Sequence, residues 1–367
     1  MKPRVLFILH LAPPVHGASV MGSYIQCSKL INTTFETNYL NMSTAYNLDD
    51  IGKTSFKKLL DIFHLYIQIG TYFAKNKVDL CYLTINAKGL AWLKELIIVA
   101  ILKLFRVPLI YHYHNKGVRL NANSFWKKIL YKFQFKNSKS ILLSSFLEND
   151  ISQFAAIKDI YICPNGIPGI SQVTNNYKDE STCQILFFSN LIESKGVYVL
   201  LEACKILKNK NIAFRCVFIG GEGDITEIQL LNKIKEYGLK DIVEFHGKKY
   251  GMDKELAFSE ADIFTLPTFS ECFPLVLIEA LQFSLPVIST WEGGIPDLVK
   301  DDVNGFLIPK QDSTALAGKL EVLIKNPKLR NEMGKAGKKL YEENFTIEIF
   351  EKRMVEIFQD YLKQKIV

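Results

Sequence analysis

Short runs of β-branched and aromatic residues alternate along the chain with longer stretches in which apolar residues return every third or fourth position. The first kind reads as buried strand, the second as amphipathic helix. In the first half, strands are predicted at Val5–His10, Phe35–Leu40, Leu80–Leu83, Leu109–His112, Ser140–Leu143 and Ile160–Cys163. Helices are predicted between them at Ala18–Ile31, Phe56–Phe73, Leu90–Phe105 and Ser124–Phe135. Residues 169–182 are polar without any apolar period and read as a linker. The alternation then restarts, with strands at Gln184–Phe188, Phe214–Ile219, Ile242–Phe245, Ile263–Leu266, Pro286–Ser289 and Phe306–Ile308. Helices intervene at Val197–Leu207, Ile225–Tyr237, Leu275–Phe283 and Thr314–Ile324, and the chain closes on Leu329–Glu343 and Ile347–Lys365. Two successive β-α series predict two doubly wound, mostly parallel sheets. Informative residues are then expected just after strands, where open α/β sheets bind ligands.

Length and composition narrow the class. A chain of 367 residues holds two to three domains at roughly 150 residues each. With 48% apolar and 23% charged residues it is an ordinary globular protein, not a disordered or low-complexity one. No stretch approaches the roughly eighteen apolar residues of a spanning helix. The start of the chain imitates a secretory signal only weakly, because His10 interrupts a short apolar run, so it is read as a first buried strand. Seven cysteines at irregular spacing, with no C-x-x-C, argue against a disulfide framework or a zinc site and fit a reducing cytosol. The net charge of +7 is uneven. Residues 94–139 carry ten basic residues and one acid, Glu95. Such a bias points to an anionic partner.

The richest segment is Pro267-Thr-Phe-Ser-Glu271-Cys272-Phe273-Pro274-Leu275-Val-Leu-Ile-Glu279-Ala. It follows a predicted strand and opens a helix, with Pro274 suited to the first turn. The N–H groups of Phe273 and Leu275, with the helix dipole, make an anion site. Eight residues of helix between Glu271 and Glu279 would span about 12 Å. That suits one carboxylate on a sugar hydroxyl and the other on a ribose, with a diphosphate between. Glu236/Glu244, Glu343/Glu351 and Glu348/Glu356 repeat the spacing, so spacing alone is not specific. The loop-to-helix context sets Glu271/Glu279 apart from such solvated pairs.

This segment resembles the E-x7-E signature of retaining glycosyltransferases with the GT-B fold, particularly glycosyltransferase family 4. Other landmarks come in order. Pro164-Asn165-Gly166-Ile167 resembles the turn ending the N-terminal domain. Phe188-Ser189-Asn190-Leu191-Ile192-Glu193-Ser194-Lys195-Gly196 resembles a G-R-L-x-x-x-K-G element, and Gly220-Gly221-Glu222-Gly223 its G-x-G turn. Phe245-His-Gly247 and Asn304-Gly305-Phe306-Leu307 match later landmarks. The resemblance covers nearly the whole C-terminal half and touches the N-terminal half at several points. It implies that Glu271 contacts the hydroxyls of the donor sugar, that Glu279 contacts ribose, and that Lys195 binds the donor diphosphate. Asn190 stands where the family has Arg, which throws diphosphate binding onto Lys195 and backbone N–H groups. Donor contacts are also expected from Gly221, Cys272, Phe273, Pro274 and Leu275.

In the first half, His10-Leu-Ala-Pro-Pro-Val-His16-Gly17 follows strand one, where Gly17 at a helix entry would admit a phosphate or sugar, or simply make a turn. His112 and His114 alternate onto one side of their strand. They can ligate a metal only with a third ligand, and none is evident. By resemblance His114 lines the cleft near the transferred sugar, with His112 the second choice. No D-x-D occurs among the sixteen aspartates, which agrees with a metal-independent enzyme without a cofactor. No G-x-x-x-x-G-K-[ST] occurs, and no G-x-G-x-x-G follows strand one, so P-loop and dinucleotide chemistry are not expected. Trp92, Phe105, Phe125, Trp126, Tyr131 and Phe133 interleave with the basic residues of 94–139. That stretch reads either as solvated helices or as a monotopic membrane patch.

The expected protein is an α/β GT-B enzyme with two Rossmann-like domains facing across a cleft. Residues 1–168 form an acceptor-binding domain, to which a helix at about 346–367 crosses back, and residues 183–345 form the nucleotide-sugar domain. The expected reaction is retaining transfer of a hexose or N-acetylhexosamine, from a UDP-sugar more readily than a GDP-sugar, to a glycan or lipid-linked acceptor. The expected setting is bacterial O-antigen or capsule synthesis. The protein would be cytoplasmic and peripheral on the inner membrane face, held to anionic lipid by its basic half, without nucleic acid. A nucleotide-sugar 2-epimerase on the same fold, and a non-catalytic sugar-nucleotide or nucleic-acid binding protein, stay open as alternatives.

Overall fold

The structure, a computed structural model, describes residues 2–13, 16–43, 56–170 and 182–364, with side chains omitted at 56–59. It packs as two compact units, one made of Met1–Asn165 with Ile347–Val367 and the other of Gly166–Thr346. Most of the predicted linker, 171–181, lies outside the described residues.

The first unit holds six parallel strands: β1 Arg4–Leu9, β2 Glu36–Asn41, β3 Leu80–Ile85, β4 Leu109–Tyr113, β5 Ser138–Leu142 and β6 Ile160–Ile162. Their order is β2-β1-β3-β4-β5-β6. Every residue of β3 and β4 is buried, because helices cover both faces of a parallel sheet. The apolar run is therefore continuous rather than alternating. The last helix, Ile347–Gln364, belongs to this core: the Phe358 ring lies 5.7 Å from Phe7 and 5.8 Å from Phe35, and Tyr161 Oη donates to Asp360 at 2.6 Å.

The second unit holds β7 Gln184–Phe188, β8 Arg215–Ile219, β9 Val243–Phe245, β10 Ile263–Leu266, β11 Val287–Thr290 and β12 Gly305–Ile308. All pairs are parallel, in the order β12-β11-β10-β7-β8-β9. Strand order reverses between β1 and β3 in the first unit and between β7 and β10 in the second. At such a switch point the connections leave on opposite faces and open a crevice at the carboxyl ends.

Local chemistry shifts some predicted boundaries. The helix expected over Ala18–Ile31 is two helices, Gly17–Cys27 and Lys29–Thr34. Ser28 between them is extended, and its hydroxyl accepts from Ile31 N–H at 3.2 Å, so it caps the second helix instead of continuing the first. The helix expected from Ile225 begins at Glu227, because Thr226 and Gln229 form a capping box. A helix at Gly251–Glu260 was not expected; it buries only Ala257 and Phe258, too few positions for a period to show. The helix after Glu271 starts at Leu275 with Pro274 as its cap. Glu271 therefore stands on the preceding loop, and a continuous helical rise between the two glutamates does not apply.

Candidate active site

In the second unit Lys195 follows β7 and Glu271 follows β10, one on each side of the switch point. Their side chains form an ion pair, Nζ to Oε1, with each side chain about a fifth exposed or less. The other carboxylate oxygen of Glu271 accepts from Cys272 N–H at 3.2 Å. Gly196 brings Lys195 there. It sits at φ 85°, and a Cβ would stand 2.2 Å from Pro267 O, so only glycine lets this turn rest against the end of β10. Ser194 O accepts from Phe269 N–H at 2.9 Å and from Thr268 Oγ1 at 2.8 Å, stitching the two loops together.

A second layer holds the Glu271 loop from behind. Glu292, just past β11, is 4% exposed. Its Oε1 accepts from Glu271 N–H at 3.2 Å, and its Oε2 pairs with Lys310, which follows β12. Gly293 has φ 53°, and a Cβ there would fall 2.5 Å from Glu271 O. Gly294 N–H donates to Cys272 O at 2.7 Å. Cys272 and Phe273, within this loop, are themselves buried, and Phe273 packs on Phe345 with ring centres 6.0 Å apart.

Glu279, in the first turns of the Leu275–Gln282 helix, meets Lys254 from the Gly251–Glu260 helix, Nζ to Oε1 at 2.5 Å. Burial raises the Glu279 carboxyl above its ordinary value, and Lys254 opposes this. The same ammonium lies 5.4 Å above the Phe188 ring. Asn190 accepts from Gly221 N–H at 3.1 Å, and Leu191 N–H donates to Gly221 O at 2.7 Å. These bonds tie the Asn190 and Gly221 loops into one wall, so the carboxamide oxygen of Asn190 is committed to backbone.

In the first unit His112 is fully buried in β4, with Nδ1 2.7 Å from Tyr82 Oη. The His114 ring lies 4.2 Å from it, on the same side of the strand. Burial pushes His114 down to about 3, with His10 and His16 adding to the shift. His16 caps the Gly17–Cys27 helix by accepting from Ser19 N–H at Nδ1, 3.3 Å away, and burial pushes it down to about 4. Gly17 is exposed with open space around it. Among the described residues, no three His, Cys, Asp or Glu side chains are grouped so as to hold a metal.

Sequence reasoning missed Lys254, Glu292 and Lys310. The rule that informative residues follow strands covers Glu292 and Lys310. Lys254 had no such signal, because its helix had no visible period.

Residues 171–340 match the family model described as Glycosyl transferases group 1. The amylovoran biosynthesis glycosyltransferase AmsK of Erwinia amylovora is 39% identical over 140 residues, 36% of this chain and 34% of that protein. The capsular polysaccharide biosynthesis glycosyltransferase CapM of Staphylococcus aureus is 28% identical over 203 residues, 53% of this chain and 52% of that protein. The matched stretches span about a third to a half of these curated relatives. Among solved structures, Anabaena Alr3699/HepE in complex with UDP superposes with a TM-score of 0.73 at 16% identity, covering 98% of this chain and 100% of that one. The fold is thus that of the GT-B glycosyltransferase structures, and residues 171–340 are similar to a glycosyl transferases group 1 domain.

Proposed function

We propose that the protein is a retaining glycosyltransferase that moves a hexose or N-acetylhexosamine from a UDP-sugar to a glycan or lipid-linked acceptor during synthesis of a bacterial surface polysaccharide. The observation that carries this reading is the Lys195–Glu271 pair across the β7/β10 switch point, with a second pair, Glu279–Lys254, on the helix that follows the Glu271 loop. A nucleotide diphosphate would replace Glu271 as the partner of Lys195, freeing the carboxylate for the hydroxyls of the sugar. The N–H groups that open the Leu275–Gln282 helix would share the phosphate charge. Glu279 would take the ribose. No side-chain nucleophile is required in this scheme, since the departing phosphate assists deprotonation of the acceptor, and no metal is needed.

The relatives' names point to exopolysaccharide and capsule synthesis, and HepE is solved with UDP and with UDP-glucose. UDP is therefore the first nucleotide to try. The first unit would serve the acceptor and would sit against anionic lipid at the cytoplasmic face of the membrane. Its surface supports this. Phe125 and Trp126 are 71% and 73% exposed at the start of a helix that also carries Lys127, Lys128 and Lys132. Among the described residues, no helix is long and apolar enough to cross a membrane.

The test is a thermal-shift panel of UDP-, GDP- and ADP-sugars, followed by transfer assays with the responding donor. A specific ligand raises the melting temperature by mass action, about 2.7 kcal/mol at a hundred times Kd. No response to any nucleotide sugar would refute the donor assignment.

A further inference from the structure

Four neighbouring strands of the second sheet end in a row of charges. In the order β12-β11-β10-β7 the residues that follow them are Lys310, Glu292, Glu271 and Lys195. Each lysine pairs with the glutamate beside it. The two glutamates are joined through backbone, by the bond from Glu271 N–H to Glu292 Oε1 at 3.2 Å. The Glu292 side chain is 4% exposed and that of Lys310 41%. Holding a carboxylate out of water is costly, and a buried ion pair often stabilises no more than apolar side chains of the same volume. The loops after β10 and β11 are also joined by neutral bonds. Ser289 Oγ donates to Leu266 O at 2.7 Å, Thr290 Oγ1 to Thr268 O, and Gly294 N–H to Cys272 O at 2.7 Å. Of these links, only the one from Glu292 reaches Glu271 itself.

We propose that Glu292 and Lys310 are positioning residues for Glu271: Glu292 fixes the Glu271 backbone while the Glu271 side chain changes partners, and Lys310 cancels the Glu292 charge so that an anionic donor can approach. The proposal deepens the glycosyltransferase reading and rests on it. Lys195 holds the Glu271 carboxylate only until a diphosphate competes for that ammonium. Glu292 grips the backbone N–H instead, so its hold survives the exchange. A glutamine in its place keeps an oxygen to accept from that N–H. The charge of Glu292 is a separate matter. Without Lys310, a buried negative charge would stand one strand from Glu271, and its repulsion would act on the diphosphate through a partly dry site. Neither residue touches the donor in this scheme.

The test uses the full chain with UDP as the probe. Calorimetric titration reads UDP affinity, and hydrogen exchange reads the Glu271 amide. Lys310→Met is expected to weaken UDP binding about tenfold, with Lys310→Gln as a second charge-removing variant. Adding Glu292→Gln to either should bring the affinity back to within about twofold of wild type, because the uncompensated charge is gone. A lysine that met the donor directly, or merely braced the loop, would show no such rescue. Wild type and Glu292→Gln should keep the Glu271 amide protected with and without UDP. In Glu292→Leu that amide should exchange about a hundredfold faster once UDP is bound. No rescue in the double variants, or equal exchange in wild type and Glu292→Leu with UDP bound, would overturn the proposal while leaving the donor assignment standing. Wild type that fails to bind UDP at all is a failure of the donor assignment and takes this proposal with it.

Discussion

Lys195 and Glu271, 76 residues apart in sequence, close into an ion pair across the point where the second sheet reverses its strand order. Removing one partner leaves a partly buried charge unmatched, which typically costs several kcal/mol for fully buried pairs and less here. Lys195→Ala and Glu271→Ala are each expected to lower kcat/KM by about a hundredfold or more, since both groups are read as meeting the donor. Both variants should fold, melting a few degrees lower. The double variant should melt no lower than the worse single one, because the two charges disappear together. Melting curves and donor kinetics on the three proteins check this, and near-normal turnover in either single variant would remove that residue from the site.

In the proposed scheme Glu279 would bind a ribose hydroxyl, which a carboxylate does better than its protonated form. Burial raises its pKa and Lys254 lowers it. With Lys254 gone, protonation should set in at higher pH. Lys254→Ala is therefore expected to lose UDP affinity on acidification earlier than the wild type, from neutral pH downward, and Lys254→Arg should restore most of it. UDP titrations between pH 5 and 8 read the midpoint, and superimposable wild-type and Ala profiles would break the link.

The depressed histidines make stability depend on pH. His16 is pushed from 6.5 down to about 4, and His114 to about 3. The unfolded chain takes up these protons near pH 6.5, while the folded one resists. Their contribution is complete above that value and is lost as pH falls, down to about 4 for His16 and about 3 for His114. Melting temperature should drop steadily from pH 6.5 to 4, and His16→Gln with His114→Gln should flatten that slope. Equal slopes in wild type and variant would assign the acid sensitivity elsewhere.

Transfer should proceed without a divalent cation. Lys195 and the helix N-terminus carry the phosphate charge in the scheme above. Activity in excess EDTA is expected to stay within about twofold of the untreated rate. Loss on chelation with recovery in Mg²⁺ or Mn²⁺ would require a metal on the diphosphate.

The exposed Phe125–Trp126 tip and the lysines behind it should dock on anionic bilayers. Each lysine near such a surface contributes about 1 kcal/mol, screened within a Debye length. Replacing Lys127, Lys128, Lys132 and Lys136 by Glu should abolish co-sedimentation with anionic vesicles. Phe125→Ser with Trp126→Ser should leave only the part that high salt removes. Donor binding should be unaffected in both. Equal sedimentation with neutral and anionic vesicles would return these residues to plain solvated helix.

Periodicity alone was enough to mark both parallel sheets, because strands buried on both faces carry unbroken apolar runs such as Leu80–Ile85. The segment around Glu271 stood out for the same local reason, a strand end followed by Pro274 and an apolar helix. Local pattern ends there. Ser28 divides a helix through one hydroxyl, and no period records that. The partners of the glutamates were a matter of strand order: β10 lies beside β7, which sets Glu271 against Lys195 rather than a sequence neighbour. Glu95 shows the limit most clearly. In sequence it is one acid on an apolar helix among lysines. Only the packing of that helix against the end of β3 takes its carboxylate out of water and turns it toward Asn86 and His10. Burial and long-range pairing belong to the assembled sheet, and a local reading has no access to either.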